Sequence, residues 1–347
     1  MNGDFNTHGS VQDYYGKVLQ SSADLQTSAC CTAEAMPRHL ARLLADVHEE
    51  VKDRFYGCGS PIPPALDGAT VLDLGCGSGR DVYLMSRLAG ARGRVIGVDM
   101  TEEQLAVARR HQDWHAQRYG FANTDFRHGY IEDLAGAGIA DASVDVVVSN
   151  CVLNLSPDKP RVFREIFRVL KPGGELYFSD VFADRRVPEA LARDPVMLGE
   201  CLGGAMYVED FRRLMAEVGC LDVRSCSSAP IALHDPAIAE KAGNIAFRSV
   251  TIRAFKLALE DRCEDYGQVA RYLGTIPDHP HAFELDDHHR LETGRPMLVC
   301  GNTADMLGAT RYARHFSIDG DKTTHFGLFD CAVPAVATAD KPAGACC

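Results

Sequence analysis

The sequence has no apolar run long enough to cross a bilayer and no surplus of basic residues. None of its apolar stretches approaches the roughly 18–20 residues that a membrane span requires. Its start, MNGDFNTHGS, has neither the basic beginning nor the apolar core of a secretory signal. The formal charge of −12 argues against nucleic acid as a partner, because phosphate contacts need a basic surface. These absences predict a cytoplasmic protein that binds neither membrane nor nucleic acid.

A C-x-x-C pair is also absent, although the chain has 13 cysteines. Its absence argues against a zinc ribbon or a thioredoxin-like site. In a reducing compartment, such an excess of cysteine indicates metal binding or thiol chemistry rather than a disulfide framework. If these thiols act together, the fold must gather them from distant parts of the chain.

What the chain does contain, from residue 69 onward, is an alternation of strand and helix patterns. Apolar runs predict five strands, at 71–74, 94–99, 126–129, 144–149 and 175–179. Helical patterns separate most of these runs, and such a rhythm is typical of an α/β fold with a doubly wound, mostly parallel sheet. A chain of 347 residues is also long enough for two or more domains.

The patterns divide the chain into four predicted regions. Residues 1–67 are a mostly helical N-terminal region that carries Cys30 and Cys58, and residues 68–185 are the α/β domain. Residues 186–260 break the rhythm and are predicted to be an inserted lid or substrate segment. Residues 261–347 are predicted to be a small mixed domain with a mobile tail that ends in Cys346-Cys347.

A glycine turn follows the first predicted strand. Asp73 precedes Gly75, Gly77 and Gly79, and a helical pattern begins after Asp81. A strand, a glycine turn and a helix form the nucleotide-binding corner of an open α/β sheet. The dinucleotide fingerprint is G-x-G-x-x-G, whereas this turn reads G-x-G-x-G, and a carboxylate at Asp73 suits an ammonium group better than a pyrophosphate. The turn favours S-adenosylmethionine (SAM) over NAD, with a plain tight turn as the remaining alternative.

Polar side chains follow the later strands. Asp99 ends the second strand, where an acid can accept the ribose hydroxyls of a nucleoside, although a solvated strand end would look similar. Ile131 and Glu132 follow the third strand, where an adenine would sit, but an ordinary helix start has the same pattern. Asn150 and Cys151 close the fourth strand, at the edge where open α/β sheets bind ligands. Its position makes Cys151 a candidate site residue rather than a small buried hydrophobe.

Three cysteines are candidates to meet at this edge. Cys58 precedes the first strand and Cys201 lies in the inserted segment, each near glycines that relieve crowding at the sulfur. Together with Cys151, they would suit a soft, thiophilic acceptor rather than carbon or oxygen. Trivalent arsenic or antimony held by three sulfurs keeps a lone pair free to attack a methyl sulfonium.

Beyond these patterns, the sequence resembles the arsenite SAM methyltransferase family. The matching stretches lie mainly within residues 11–205 and include FYGCG (55–59), LDLGCGSGRD (72–81), SNCVLNLSPDK (149–159) and GECLGGA (199–205). Glycine loops of this kind occur in many methyltransferases. The FYGCG, SNCVLNL and GECLGGA blocks are more specific to this family.

The resemblance implies a Rossmann-like class I SAM methyltransferase fold and the methylation of arsenite to mono-, di- and trimethylated arsenicals, as in arsenic detoxification. It implies that Cys58, Cys151 and Cys201 bind As(III), that Cys30 is an additional redox thiol and that Tyr56 lies near the sulfonium. Thioredoxin or glutathione would reduce the disulfide formed as arsenic returns to As(III). The implied cofactor-binding residues are Asp73, Gly75, Gly77, Gly79, Asp99, Met100, Ile131, Glu132 and Asn150.

Two other functions remain open. A methyltransferase of a small organic acceptor would need a catalytic base near Asn150, for which the sequence offers no clear candidate. A non-catalytic protein that sequesters a metalloid would have no use for the glycine turn, Asp73 and Asp99. Five cysteines show no partner in the sequence and are expected in the core or at the surface: Cys220, Cys226, Cys263, Cys300 and Cys331.

Overall fold

The computed structural model describes residues 9, 36–55 and 60–330, and its largest element is an eight-stranded sheet. The strands are β1 Thr70–Leu74, β2 Arg94–Asp99, β3 Thr124–His128, β4 Val144–Asn150, β5 Leu170–Ala183, β6 Met206–Tyr207, β7 Val223–Pro230 and β8 Phe247–Phe255. Their order is β3-β2-β1-β4-β5-β8-β7, with β6 paired to β5. Strands β1 to β6 pair in parallel, whereas β8 runs antiparallel to β5 and β7. The predicted doubly wound, mostly parallel sheet is confirmed.

Helices pack around the sheet, except for the last one, which packs against small C-terminal strands. They are α1 Arg38–Leu44, α2 Glu49–Asp53, α3 Arg80–Ala89, α4 Glu102–Arg110, α5 Gln112–Tyr119, α6 Lys159–Val169, α7 Glu189–Ala192, α8 Pro195–Gly199, α9 Val208–Glu217, α10 Pro236–Ala242 and α11 Gly301–Gly308. Among the described residues, no helix combines the length and the apolar character needed to cross a bilayer.

Strand β1 is buried on both faces. Leu72 and Leu74 belong to an apolar cluster that includes residues of α6, whereas Val71 belongs to another that includes residues of α3. Successive side chains of a strand point to opposite faces, so the two clusters lie on opposite sides of the sheet. Burial of this kind explains why the central strands β1, β2 and β4 are mostly apolar runs.

Residues 186–260, set apart in the sequence as an inserted segment, contribute to this sheet. Strand β6 extends the pairing of β5, and β8 pairs with β5 from Glu175 to Ala183. The boundary at residue 185 therefore runs through a continuous sheet, which extends to residue 255. The division into four regions stays a prediction.

Residues 261–330 form small antiparallel sheets and one helix. The strands are β9 Glu264–Asp265, β10 Gln268–Tyr272, β11 Ala282–Glu284, β12 Arg290–Glu292, β13 Pro296–Val299, β14 Phe316–Asp319 and β15 Gly327–Leu328. They pair as β13-β10-β14, β11-β12 and β15-β9. This is the small mixed architecture predicted for the C-terminal region.

A buried ionic cluster joins this C-terminal unit to the sheet. Glu175 of β5 lies 2.7 Å from the Arg253 guanidinium of β8, and it also accepts hydrogen bonds from Arg311 and from the Tyr312 hydroxyl. Arg253 also donates to the carbonyl of Glu284 at 3.1 Å. Because Glu175 and Arg253 are almost fully buried, each needs its partners to offset the loss of water.

Candidate active site

A cleft opens at the carboxyl ends of β1, β2 and β4, the edge at which doubly wound sheets bind ligands. It holds about 970 Å³ of empty space, including its open mouth. Eight of the nine predicted cofactor-binding residues line it: Asp73, Gly75, Gly77, Asp99, Met100, Ile131, Glu132 and Asn150. Cys151 lines the same cleft, next to Asn150.

Gly79 is not among the residues that line this cleft. It precedes α3 with a φ of 87°, and a Cβ there would lie 2.8 Å from the Phe126 ring. This glycine is therefore needed for the start of the helix and for packing. Its predicted contact with the cofactor has no support in this geometry.

The other two glycines shape the cleft wall. Gly75 has a φ of 68°, and a Cβ there would overlap the side chain of Val152. Gly77 has a φ of 51°, and its N–H donates to the Asp99 carboxylate at 2.8 Å. A side chain at either position would strain a turn that holds the ends of β1 and β2 together.

One wall of the cleft carries more negative than positive charge. Burial raises the pKa of Asp73 well above its usual range, and the charges of Asp81 and Asp99 raise it further, while Arg80 opposes them. Arg80 is already paired with Asp81 at 2.7 Å, and its guanidinium lies 3.1 Å from the centroid of the Phe55 ring. The wall therefore favours a cationic ligand, and SAM carries both an ammonium and a sulfonium group. These residues fit SAM.

Asp99 is fixed by backbone donors. Its two oxygens accept hydrogen bonds from the N–H groups of Gly77 and Thr101, each at 2.8 Å. Burial raises the pKa of Asp99, and these hydrogen bonds lower it in part. A carboxylate offers about four acceptor positions, so Asp99 retains capacity for ribose hydroxyls. At the predicted adenine end, the Ser156 hydroxyl donates to the buried Glu132 carboxylate.

Cys151 belongs to the part of the cleft lining that we call the thiol wall, and Cys201, which is distant in sequence and does not itself line the cleft, contacts it from behind. The Cys201 thiol donates a hydrogen bond to the Cys151 carbonyl oxygen at 3.3 Å, and both residues are buried. Both have left-handed backbones, with φ of 56° at Cys151 and 62° at Cys201. Such conformations are costly for residues with a Cβ and occur preferentially at functional sites. Cys151 is disulfide-bonded in the structure, whereas Cys201 is not.

The segment after Cys201 packs against the loop after Cys151. A Cβ at Gly204 would overlap the carbonyl oxygen of Asn154, so this approach requires glycine. Asn154 is held in turn by Asp180 at the carboxyl end of β5, which accepts from its N–H at 3.1 Å and from its side-chain amide at 2.7 Å. These contacts fix the positions of the two cysteines relative to each other.

Three predicted residues lie outside the described part of the chain. They are Cys30, Tyr56 and Cys58. Their assignments as redox thiol, sulfonium neighbour and third arsenic ligand stay predictions.

The roles of Asp180 and Lys159 were not evident from the sequence. Burial raises the pKa of Asp180 to about 7. Burial lowers the pKa of Lys159, while Asp180, Glu132 and Cys201 raise it, so a cation lies near the thiol wall. An acid at the end of a fifth parallel strand was a signal that could have identified Asp180. Lys159 follows the N-cap residue Asp158, and in the sequence it has the pattern of an ordinary helix start.

Two family models match the chain. One, described as a methyltransferase domain, matches residues 65–219, and the other, described as an arsenite methyltransferase C-terminal domain, matches residues 266–341.

Full-length relatives agree with these matches. An arsenite methyltransferase from Aquipseudomonas alcaligenes is 60% identical over 324 residues, which cover 93% of this chain and 94% of that protein. The arsenite methyltransferase of Homo sapiens is 43% identical over 89% of this chain and 82% of its own length. The crystal structure of an arsenic(III) S-adenosylmethionine methyltransferase from Chlamydomonas reinhardtii matches with a TM-score of 0.82 at 52% identity, covering 85% of this chain and 100% of that one.

Proposed function

The chain belongs to the arsenite methyltransferase family, and from that premise we propose that Cys58, Cys151 and Cys201 bind trivalent arsenic as thiolates for methylation. The family resemblance inferred from its motifs is confirmed, and the chain is a SAM-dependent methyltransferase. One observation supports the proposal for Cys151 and Cys201, and the place of Cys58 rests on the family resemblance. The Cys201 thiol lies 3.3 Å from the carbonyl oxygen of Cys151, a residue that itself lines the cleft shaped for SAM.

Each wall of the cleft has its own part in this proposal. Asp73 and Asp99 orient the methyl donor through its ammonium group and ribose. Bound there, SAM supplies an electrophilic methyl group on a sulfonium. Arsenic held by three sulfurs keeps its lone pair as the nucleophile, so the site needs no general base for the acceptor. Holding both reactants in line supplies much of the rate enhancement.

The proposed cycle needs electrons as well as methyl groups. Accepting a methyl cation with its own lone pair raises arsenic formally to As(V), and two electrons must return it to As(III). We propose that Cys30 and a second thiol supply them by forming a disulfide, which thioredoxin or glutathione reduces. Cys151 is disulfide-bonded in the structure, and a disulfide sulfur cannot bind arsenic as a thiolate, so reduction must precede ligation.

Repeated cycles would give mono-, di- and trimethylated arsenicals. We propose that this conversion serves arsenic detoxification in the cytoplasm. If the acceptor were organic, the two cysteines with left-handed backbones would have no role. If the protein only sequestered arsenic, the wall that favours a cationic ligand would have no role.

Product speciation tests the proposal. The full-length protein, reduced by thioredoxin or glutathione, is incubated with arsenite and SAM, and arsenicals are separated by liquid chromatography with elemental detection. Methylated arsenicals that depend on both SAM and reductant are the expected result. Arsenite that is bound but never methylated would indicate the sequestering function. If arsenite is neither bound nor methylated, the three-thiol site is wrong.

A further inference from the structure

The carboxyl end of β5 holds both ends of the loop formed by residues 151–154. The N–H of Cys151 donates to the carbonyl oxygen of Ser179 at 2.8 Å. The next residue, Asp180, is fully buried, and its carboxylate accepts hydrogen bonds from the N–H of Asn154 at 3.1 Å and from its side-chain amide at 2.7 Å. Two neighbouring residues of one strand therefore fix the start and the end of this loop.

The segment that carries Cys201 is placed against the same loop. The Cys201 thiol donates to the carbonyl oxygen of Cys151, at the start of the loop. Gly204 passes so close to the carbonyl oxygen of Asn154, at the end of the loop, that a Cβ there would overlap it. Because both contacts are made to backbone oxygens of the loop, the position of Cys201 relative to Cys151 depends on Asp180 holding Asn154 in place.

The Asn154 side chain acts through its donor side. Its amide nitrogen donates to Asp180 and, at 2.6 Å, to the carbonyl oxygen of Val181, and because both partners are acceptors the orientation of the amide is fixed. Its Oδ1 atom is buried and has no hydrogen-bond partner among the described residues. Leaving a buried acceptor unpaired is unfavourable, which indicates that the fold retains this residue for its donors.

Asp180 can hold Asn154 in this way only while its carboxyl group is ionised. The hydrogen bonds that its oxygens accept come from N–H groups, two of them on Asn154 and a third on Val181 at 2.8 Å. A proton on either oxygen would point at a donor, and the neutral group would also be a weaker acceptor. The contact therefore requires the carboxylate.

The surroundings of Asp180 make its ionisation sensitive to pH. Burial raises the pKa of Asp180 to about 7, and its backbone hydrogen bonds and the charge of Lys159 oppose this rise. Lys159 is in turn acted on by Glu132 and Cys201. On the side of β8, the residue opposite Asp180 is Val250, which carries no charge. Buried acids with such strongly shifted pKa values occur preferentially at functional sites.

We propose that Asp180 is a positioning residue for methyl transfer to arsenic, because its carboxylate fixes Asn154 and thereby the separation of Cys151 and Cys201. The inference rests on the proposed function, in which these two cysteines bind the acceptor. Asp180 is fully buried and is not among the residues that line the SAM cleft, so it acts through Asn154 rather than by touching SAM. Protonation of Asp180 should loosen the loop and slow methyl transfer without changing the affinity for SAM.

Single-turnover methylation tests this role. Reduced full-length protein is preloaded with arsenite and mixed with saturating SAM at about pH 6 and about pH 8, on either side of neutrality, so that neither thiol ligation nor SAM binding limits the rate. Asp180→Asn keeps the shape but turns a donor toward an N–H of Asn154, and it should lower the rate at the higher pH roughly tenfold or more. The ratio of its rates at the two pH values should also be smaller than in the unsubstituted protein. Calorimetry should show an affinity for SAM within about twofold.

Asp158→Asn is the matched control. Asp158 is an exposed N-cap residue whose side chain accepts from the N–H of Arg161, and asparagine caps a helix equally well, so this variant should keep both the rate and its pH dependence. Asn154→Ala removes the side-chain donor to Asp180 but leaves the backbone donors, and a smaller loss of rate is expected. Thermal unfolding checks that each variant folds, and Asn154→Ala decides alone if Asp180→Asn does not.

The outcomes separate this role from the proposed function. If the unsubstituted protein methylates arsenite and Asp180→Asn does so at the same rate, the inference is wrong and the proposed function stands. A slower Asp180→Asn with an unchanged ratio of rates, or with a lost affinity for SAM, would also overturn the positioning role. If the unsubstituted protein methylates no arsenite, the proposed function fails and the inference fails with it.

Discussion

The two walls of the cleft are built by different means. The cofactor wall consists of strand ends and a glycine turn, and three carboxylates with one arginine give it excess negative charge. At the thiol wall, Cys151 and Cys201 lie in an apolar cluster with Leu155, Leu198 and other residues, and both cysteines have left-handed backbones. Under the proposed function, charge would select the methyl donor, whereas backbone shape and sulfur would select the acceptor. A substitution in one wall should therefore impair either SAM binding or arsenic binding without impairing the other.

The largest expected effect comes from removing a sulfur of the thiol wall. Cys151→Ser and Cys201→Ser should each abolish the first methylation of arsenite, because a hydroxyl binds As(III) poorly. Calorimetry should show that the affinity for SAM stays within about twofold, since the cofactor wall is intact. A Cys201→Ser protein that methylates arsenite at the unsubstituted rate would refute the three-thiol site.

The next effect comes from disturbing the approach of the two loops. Gly204→Ala places a methyl group against the carbonyl oxygen of Asn154 and should move Cys201 relative to Cys151. A displacement of about 1 Å at a reacting centre lowers the rate by as much as about a hundredfold. Single-turnover kinetics should show this loss while SAM affinity is retained. In the control Gly308→Ala, the new Cβ would come no closer than 3.2 Å to Ile318. Equal losses in both variants would mean that the effect is not local.

A smaller effect is expected at the cofactor wall. Asp73→Asn removes a charge that would contact the ammonium group, and such charge-assisted hydrogen bonds contribute roughly 1.5–3 kcal/mol, so the Kd for SAM should rise about tenfold or more. Binding of phenylarsine oxide to the same variant should not change. Asp67→Asn, at an exposed ion pair with Arg92, is the matched control. An Asp73→Asn protein that binds SAM normally and loses arsenicals instead would reverse the assignment of the two walls.

The smallest effect is a difference in pH dependence between the walls. Because burial raises the pKa of Asp73 and a bound cation would lower it, SAM affinity should fall as pH falls and SAM binding should release protons. Calorimetry in buffers of different ionisation enthalpy measures this release. The rate of methyl transfer should instead rise with pH through the thiol range, near about 8.5 for an ordinary cysteine. Proton uptake on SAM binding, or a flat rate profile from about pH 6 to 9 with methyl transfer rate-limiting, would contradict this picture.

The cofactor wall could be predicted from the sequence because it is local. Asp73 and its glycines follow one strand directly, and the carboxyl ends of parallel strands meet at one edge of the sheet, so Asp99 and Asn150 follow from strand order alone. Gly79 shows the limit of that reasoning. It belongs to the same motif, yet the space beside it is filled by Phe126, which comes from a different strand.

The thiol wall depends on contacts that local patterns do not contain. Residue types alone do not reveal that Gly204 passes against Asn154, or that the φ angles of Cys151 and Cys201 are positive. The position of Cys151 and the glycines near Cys201 made their meeting a candidate, and the family motifs implied it, but helix and strand periodicity did not predict it. The antiparallel pairing of β8 with β5 was not predicted for the same reason. Pairing between strands that are far apart in the sequence leaves no local pattern.

The ionic cluster around Glu175 bears on how the two parts of the chain can be recombined. The family models divide the chain near residues 219 and 266, but Glu175 and Arg253 lie on one side of the second boundary and Arg311 and Tyr312 on the other. A chimaera that joined the C-terminal unit of one relative to the sheet of another would have to transfer all four residues as a set. Otherwise the junction would bury an unmatched charge. The boundaries that sequence comparison draws are therefore not the boundaries along which this protein can be exchanged.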